Sequence, residues 1–80
     1  MAKYESFASI ERRAKAALAR KVRDLRRSRT LSQAELAGAA GIRRALVSDI
    51  ERRVANPTLE SLLRIAKAFG VGVADLLDDT

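Results

Sequence analysis

The chain has 80 residues, a formal net charge of +6 and 48% hydrophobic residues, which is enough for one small domain. It has no Cys and no His, which excludes disulfides, thiolate or imidazole metal ligands and a histidine base, so we expect neither an enzyme nor a cofactor. No run reaches the roughly 20 apolar residues that span a bilayer. Because the start also lacks a secretory pattern, we expect a cytoplasmic protein with no membrane partner.

Apolar residues at helical spacing begin near the start of the chain. Residues 1–15 form an N-terminal extension in which every third or fourth residue is apolar: Tyr4, Phe7, Ile10 and Ala14. The same period continues over a first helix, predicted from about Ala16 to Arg27, through Leu18, Val22 and Leu25. The extension can therefore be helical and continuous with this helix, and residues 16–80 form the second unit.

A second, short helix is predicted from about Gln33 to Ala40 because both of its ends carry signals. Ser32 followed by Glu35 is a capping box, in which each side chain accepts a hydrogen bond from the backbone N–H of the other residue. Gly41 supplies the left-handed backbone conformation that ends a helix.

A third helix is predicted beyond that glycine, from about Arg44 to Arg52. Its apolar residues restart the helical period: Ile42, Leu46, Val47 and Ile50. Two short helices joined by so tight a turn form a helix-turn-helix, whose second helix fits the major groove of DNA.

The last third of the chain predicts two further helical elements. Asn56-Pro57-Thr58 is a loop in which Thr58 can cap a fourth helix, predicted from Leu59 to Phe69 and ended by Gly70. A final turn from Val73 to Leu77 is expected to pack both Leu76 and Leu77 onto the core. The sequence thus predicts an all-α fold of five helices plus the extension.

Positive charge is concentrated in one part of the chain. Residues 12–53 hold thirteen of the sixteen Lys and Arg but only four of the ten acidic residues, a net charge of +9. A solubilising face or a patch for an acidic membrane would also explain such a block. We favour double-stranded DNA because the charge coincides with a groove-reading motif.

Six segments carry a specific combined pattern: SQAELA at 32–37, Gly41-Ile42, Val47-Ser48, Ile50-Glu51, Asn56-Pro57-Thr58-Leu59 and LLRIAKAFGVGVADLL at 62–77. Together they resemble the lambda repressor/Cro-like helix-turn-helix domains, also called the XRE family. The similarity covers about Leu18 to Leu77. It implies a five-helix lambda-repressor-like domain that binds a pseudo-palindromic operator as a homodimer, usually as a repressor of transcription.

The resemblance also implies DNA contacts at eight positions: Gln33, Arg43, Arg44, Ala45, Ser48, Asp49, Arg52 and Arg53. Gln33 would lie beside a phosphate at the N-terminus of the second helix. Arg44 would pair with guanine O6 and N7, and Ala45 would contact a thymine methyl. The other arginines are expected at phosphates, and the serine at backbone or base.

Asp49 fits a groove of phosphates poorly, because they repel a carboxylate that does not accept from a cytosine amino group. We therefore favour an ion pair within the helix, with Arg52 or Arg53 as the partner. In related domains an arginine of helix 1 also meets a glutamate of helix 3, which implies a structural ion pair between Arg26 and Glu51.

Three departures from the family pattern affect the third helix. Arg43 stands where a Ser or Thr cap is common, and Leu46 where a polar residue is frequent. Arg53 stands where Gly is common, and because non-Gly residues rarely adopt positive φ, we expect the helix to run further before it turns.

The extension and the biological role each allow alternatives. Tyr4, Phe7 and Ile10 can contact a second subunit, pack over the domain's own core or belong to a frayed arm on DNA. We favour a dimeric repressor over three rivals: an antitoxin with a toxin partner, a restriction-modification controller protein and an interaction module that does not bind DNA.

Overall fold

The computed structural model describes residues 5–78, and it folds them into five α-helices with no β-strand in that range. The helices are α1 (Phe7–Ser28), α2 (Gln33–Ala40), α3 (Arg44–Glu51), α4 (Leu59–Phe69) and α5 (Val73–Leu76). The predicted all-α, five-helix architecture is confirmed. None of the helices within residues 5–78 is long and apolar enough to cross a membrane.

Helix α1 begins at Phe7 and runs without interruption for 22 residues, so the helix starts earlier than the predicted Ala16. Ser6 caps it, because its Oγ accepts a hydrogen bond from the backbone N–H of Ser9 at 3.1 Å. Glu5 accepts two hydrogen bonds from Arg13 over the first turns. The expectation that the extension is helical and continuous with the first helix is therefore correct from Phe7 onward. Tyr4 lies outside the described residues.

Helices α2 and α4 begin and end where the capping signals predict. Ser32 Oγ accepts from the backbone N–H of Glu35 at 3.0 Å, and the Glu35 carboxylate accepts from the N–H of Ser32 at 2.8 Å. Gly41 and Gly70 adopt left-handed conformations, with φ of 70° and 72°, at the ends of α2 and α4. Thr58 caps α4 by accepting from the N–H of Ser61 at 3.1 Å.

One core joins all five helices. Helix α1 packs against α3 and α5, α2 packs against α3 and α4, and α4 packs against α5. The large side chains that are fully buried share this interior: Leu36, Ile50, Ile65, Leu76, Val22 and Val47. The prediction that Leu77 also packs onto the core is wrong, because it is 45% exposed. Neighbouring residues of a helical turn point in different directions, and Leu76 takes the core position.

Helix α3 ends earlier than expected, at Glu51, and Arg53 adopts a left-handed conformation with φ of 66°. The backbone N–H of Val54 donates to the Asp49 carbonyl and that of Arg53 to the Ile50 carbonyl, both at 3.0 Å. This pair of bonds is a Schellman motif, in which glycine normally occupies the left-handed position. The expectation of a longer helix is therefore wrong: the turn forms with arginine in the place of glycine.

Candidate nucleic-acid interface

Helix α3 presents one face to the core and the other to solvent. Val47 and Ile50 are buried and Leu46 is half-buried against the core, which fixes the orientation of the helix. Leu46 therefore serves packing rather than an exposed contact. The opposite face carries the predicted contact residues, so α3 offers a solvent-facing surface on a rigid support.

The start of α3 carries two exposed cations. Arg43 is the N-cap and makes no side-chain capping bond, which agrees with the absence of a Ser or Thr there. The Arg43 and Arg44 side chains are exposed and form no ion pair or side-chain hydrogen bond with any of residues 5–78. Ala45 is exposed beside them. Two free guanidinium groups next to a small apolar side chain can bind phosphate and base edges together.

Asp49 pairs with Arg52, whose Nη2 lies 3.3 Å from Asp49 Oδ1, and not with Arg53. The Arg52 side chain is 67% exposed and the Asp49 side chain 46%, so the pair contributes under 1 kcal/mol to stability and can open readily. The pair matters for electrostatics, because the Arg52 charge offsets the negative charge of Asp49 on the outward-facing surface of α3. Ser48, one turn from Arg52, is half-buried and small enough to allow close approach to this surface.

Arg26, Gln33 and Glu51 form one polar network between α1, α2 and α3. Arg26 Nε donates to Glu51 Oε2 at 2.7 Å and Arg26 Nη2 to Glu51 Oε1 at 3.0 Å, while its Nη1 donates to the Leu31 carbonyl at 2.8 Å. Both side chains are mostly buried, with 13% of Arg26 and 6% of Glu51 exposed. The ion pair expected between α1 and α3 is thus present in a water-poor site.

The surroundings of Glu51 favour its charged form. Burial acts to raise the pKa of Glu51, but hydrogen bonds from Arg26 and Gln33 and the charges of Arg26 and Arg23 outweigh burial, so the pKa lies below its ordinary value. The pKa of Glu35 is also lowered, chiefly because its carboxylate accepts from the backbone N–H of Ser32. Both carboxylates therefore stay charged at neutral pH.

Gln33 lies at the first position of α2, half-buried, with its Nε2 donating to Glu51 Oε1 at 3.2 Å. An amide carries two N–H groups, so one remains for a phosphate oxygen, beside the partial positive charge of the α2 N-terminus. The network thus holds in place a side chain that the sequence marked only as a phosphate contact.

Arg12 and Lys15, in the first half of α1, are cations that sequence reasoning did not include in the site. With Glu11 they line the same concavity as Arg53, which follows α3. The helical period of residues 4–27 could have indicated them, because it predicts one continuous α1. The first half of that helix lies beside the end of α3.

A family model described as helix-turn-helix, HTH_3, matches residues 22–76. The chain is 43% identical over 61 residues to the HTH-type transcriptional regulator DdrOP3 of Deinococcus deserti, an alignment that covers 76% of this chain and about half, 47%, of that protein. It is 44% identical over 61 residues to the control protein C.BamHI of Bacillus amyloliquefaciens, with 75% of each chain covered.

The fold matches the crystal structure of the hypothetical transcription factor NHTF from Neisseria. The TM-score is 0.78 at 37% sequence identity, and the match covers 84% of this chain and 75% of that chain. Relatives of this kind are named as transcriptional regulators, repressors and control proteins. The sequence match from residue 22, in the second half of α1, to the end of α5 and the agreement in structure lead to one conclusion: the chain belongs to the helix-turn-helix family HTH_3.

Proposed function

We propose that this chain is a dimeric regulator of transcription that binds duplex DNA at a pseudo-palindromic operator and represses from it. Its family accounts for the general activity, DNA-binding control of transcription. One observation carries the proposal for this chain: α3 is anchored by its buried face and turns the free guanidinium groups of Arg43 and Arg44 outward. This is the arrangement of a recognition helix for the major groove.

The proposed contacts divide into those that read bases and those that hold the backbone. Arg44 pairs with guanine through O6 and N7, and Ala45 lies against a thymine methyl. The phosphate contacts come from four residues that surround α3: Gln33, Arg43, Arg52 and Arg53. Ser48 allows the backbone to approach and bonds either phosphate or base. Asp49 stays paired with Arg52 unless a cytosine amino group replaces that partner.

The proposed dimer uses the exposed apolar residues at the start of α1. Phe7 is 75% exposed and Ile10 is 45% exposed, and Ile10 lines one concavity with Leu77 of the C-terminal segment. A second copy would bury this surface around a two-fold axis. Such a dimer sets the two copies of α3 about 34 Å apart, one turn of DNA.

A second apolar surface gives an alternative interface. Leu59 is 66% exposed and Leu63 is 49% exposed, one turn apart on α4. If this surface binds a toxin protein, the chain is an antitoxin that also binds its own operator. Co-purification of a toxin from the native host would support that alternative.

A restriction-modification controller protein is the second candidate function. The similarity to the control protein C.BamHI, 44% identity over 61 residues, covers 75% of both chains, so it extends over most of each protein. A controller would act through tandem operators.

The test of the proposed function is selection of bound duplexes from a random-sequence library at near-physiological salt. A dimeric regulator is expected to enrich an inverted repeat with half-sites about one helical turn apart, and a controller is expected to bind two such sites in tandem. Binding without enrichment, with a steep dependence on salt, would instead mean that charge alone holds the DNA.

A further inference from the structure

We propose that Arg12 and Lys15 of α1 form, together with Arg53 after α3, a second phosphate-binding site that takes a backbone phosphate of duplex DNA. The inference rests on the proposed function, since it extends the DNA footprint from the helix-turn-helix onto the N-terminal extension. It gives the first half of α1 a role in DNA affinity that is independent of the dimer contacts at Phe7 and Ile10.

The three cations lie around one shallow concavity. Glu11, Arg12, Lys15 and Arg53 line a space of about 300 Å³ between the first half of α1 and the turn that follows α3. Neither the Arg12 nor the Arg53 guanidinium forms an ion pair or a hydrogen bond with any of residues 5–78. Lys15 has one charged partner in that range, Glu11, at a distance of 3.6 Å.

The charge balance of the concavity favours an anion. Three cations face one carboxylate, so a net charge of about +2 remains, and like charges held this close repel one another. A phosphodiester would relieve that repulsion and offers oxygens to both guanidinium groups, which bind phosphate through paired N–H donors.

The backbone of Arg53 is a second, independent observation. The residue adopts φ of 66°, a conformation that is unfavourable for side chains other than glycine, inside a Schellman motif that glycine would complete without strain. Glycine at this position would relieve the strain, but it would also remove the side chain that closes the concavity. Arg53 thus places a guanidinium at a position where the backbone alone favours glycine.

The location suits the edge of the groove that α3 enters. Eight residues of α-helix rise about 12 Å, which is close to the width of the major groove. When the first turn of α3 contacts bases, its last turn therefore lies near the sugar–phosphate backbone, and the Arg53 concavity lies beyond that end. A phosphate next to the base contacts is the expected occupant.

The experiment compares the double variant Arg12→Gln/Lys15→Gln with a charge-matched control, Arg27→Gln/Lys67→Gln. The control residues are exposed and lie outside the concavity. Binding of the selected operator and of a random duplex is titrated over a range of salt concentrations. The double variant is expected to lose affinity for both duplexes by a similar factor and to reduce the slope of log K against log salt by about one.

Each other outcome has a defined meaning. If the double variant and the control have the same affinity and the same salt slope, the proposal is overturned while the wild-type binding still supports the regulator function. If wild type itself selects no operator, it is the proposed function that fails. Titration with inorganic phosphate at constant ionic strength distinguishes the source: saturable binding in the concavity, with an unchanged DNA slope in the double variant, would assign the site to free phosphate and overturn the DNA proposal.

Discussion

Arg26 and Glu51 are 25 residues apart in the sequence, and their side chains meet in a bidentate ion pair with N–O distances of 2.7 and 3.0 Å. The pair connects α1 to the last residue of α3, and Glu51 also accepts from Gln33 of α2. A single carboxylate therefore links three helices. The surface of α3 that we propose to face DNA is thus tied to the rest of the fold by a contact that itself faces the interior.

Removal of the Glu51 carboxylate should damage the fold. Glu51→Ala leaves the Arg26 guanidinium without its carboxylate partner in a mostly buried site, so we expect the free energy of unfolding to fall by about 3 kcal/mol. Thermal or urea denaturation measures this loss. The matched control is Glu60→Ala, which removes an exposed ion pair with Arg64 and should change stability by less than 1 kcal/mol. Equal melting temperatures for wild type and Glu51→Ala would refute the role of the pair.

The same carboxylate predicts how stability depends on pH. The folded-state pKa of Glu51 lies below its unfolded value, so its contribution is fully present above the unfolded pKa and is lost as pH falls through the folded pKa. The melting-temperature difference between wild type and Glu51→Gln should therefore be largest above about pH 5 and shrink in more acidic solution. A difference that stays constant from neutral pH into acid would contradict the assignment.

Substitution of Arg53 should separate stability from DNA affinity. Arg53→Gly relieves the positive φ, and we expect the free energy of unfolding to rise by up to about 1 kcal/mol after the larger unfolded-state entropy of glycine is subtracted. Affinity for DNA should fall, because one cation is lost. Arg53→Gln is the matched control, since it loses the charge but keeps the strain. If Arg53→Gly binds DNA as tightly as wild type, Arg53 is not a phosphate contact.

The dimer surface can be located by paired variants. Phe7→Glu/Ile10→Glu places two charges on the proposed interface, and we expect sedimentation velocity to report monomers and operator affinity to decrease. Leu59→Glu/Leu63→Glu makes the same change on the exposed apolar surface of α4. If only the Leu59→Glu/Leu63→Glu variant is monomeric, the dimer interface lies on α4 and not on the start of α1.

Local signals determined most of the fold. The capping box at Ser32 and Glu35, the glycines at 41 and 70, and the Thr58 cap act within a few residues of each other, and α2 and α4 have the predicted bounds. The wrong predictions concern features that depend on tertiary packing and not on local sequence. Only packing decides that Leu76 rather than Leu77 enters the core, and only the closing bonds to the Asp49 and Ile50 carbonyls force Arg53 into a left-handed conformation.

The candidate site was predictable to a similar extent. The turn at Gly41 and the helical period placed the Arg44 region on an exposed face, because those signals are local. The proximity of Lys15 to Arg53 spans almost forty residues and depends on the length and direction of α1, which periodicity alone left open. The division of the chain after residue 15 stays a prediction, since α1 runs across it without a break.

The most direct test of the central claim is a double-mutant cycle between Arg44 and the guanine it is proposed to read. Wild type, Arg44→Ala and the exposed neighbour Arg43→Ala are titrated against the selected operator and against duplexes with each half-site base replaced in turn. We expect Arg44→Ala to lose discrimination at one guanine by roughly 1–3 kcal/mol, and Arg43→Ala to weaken all duplexes about equally. If Arg44→Ala weakens every duplex by the same factor, α3 does not read sequence through this side chain, and the account is contradicted.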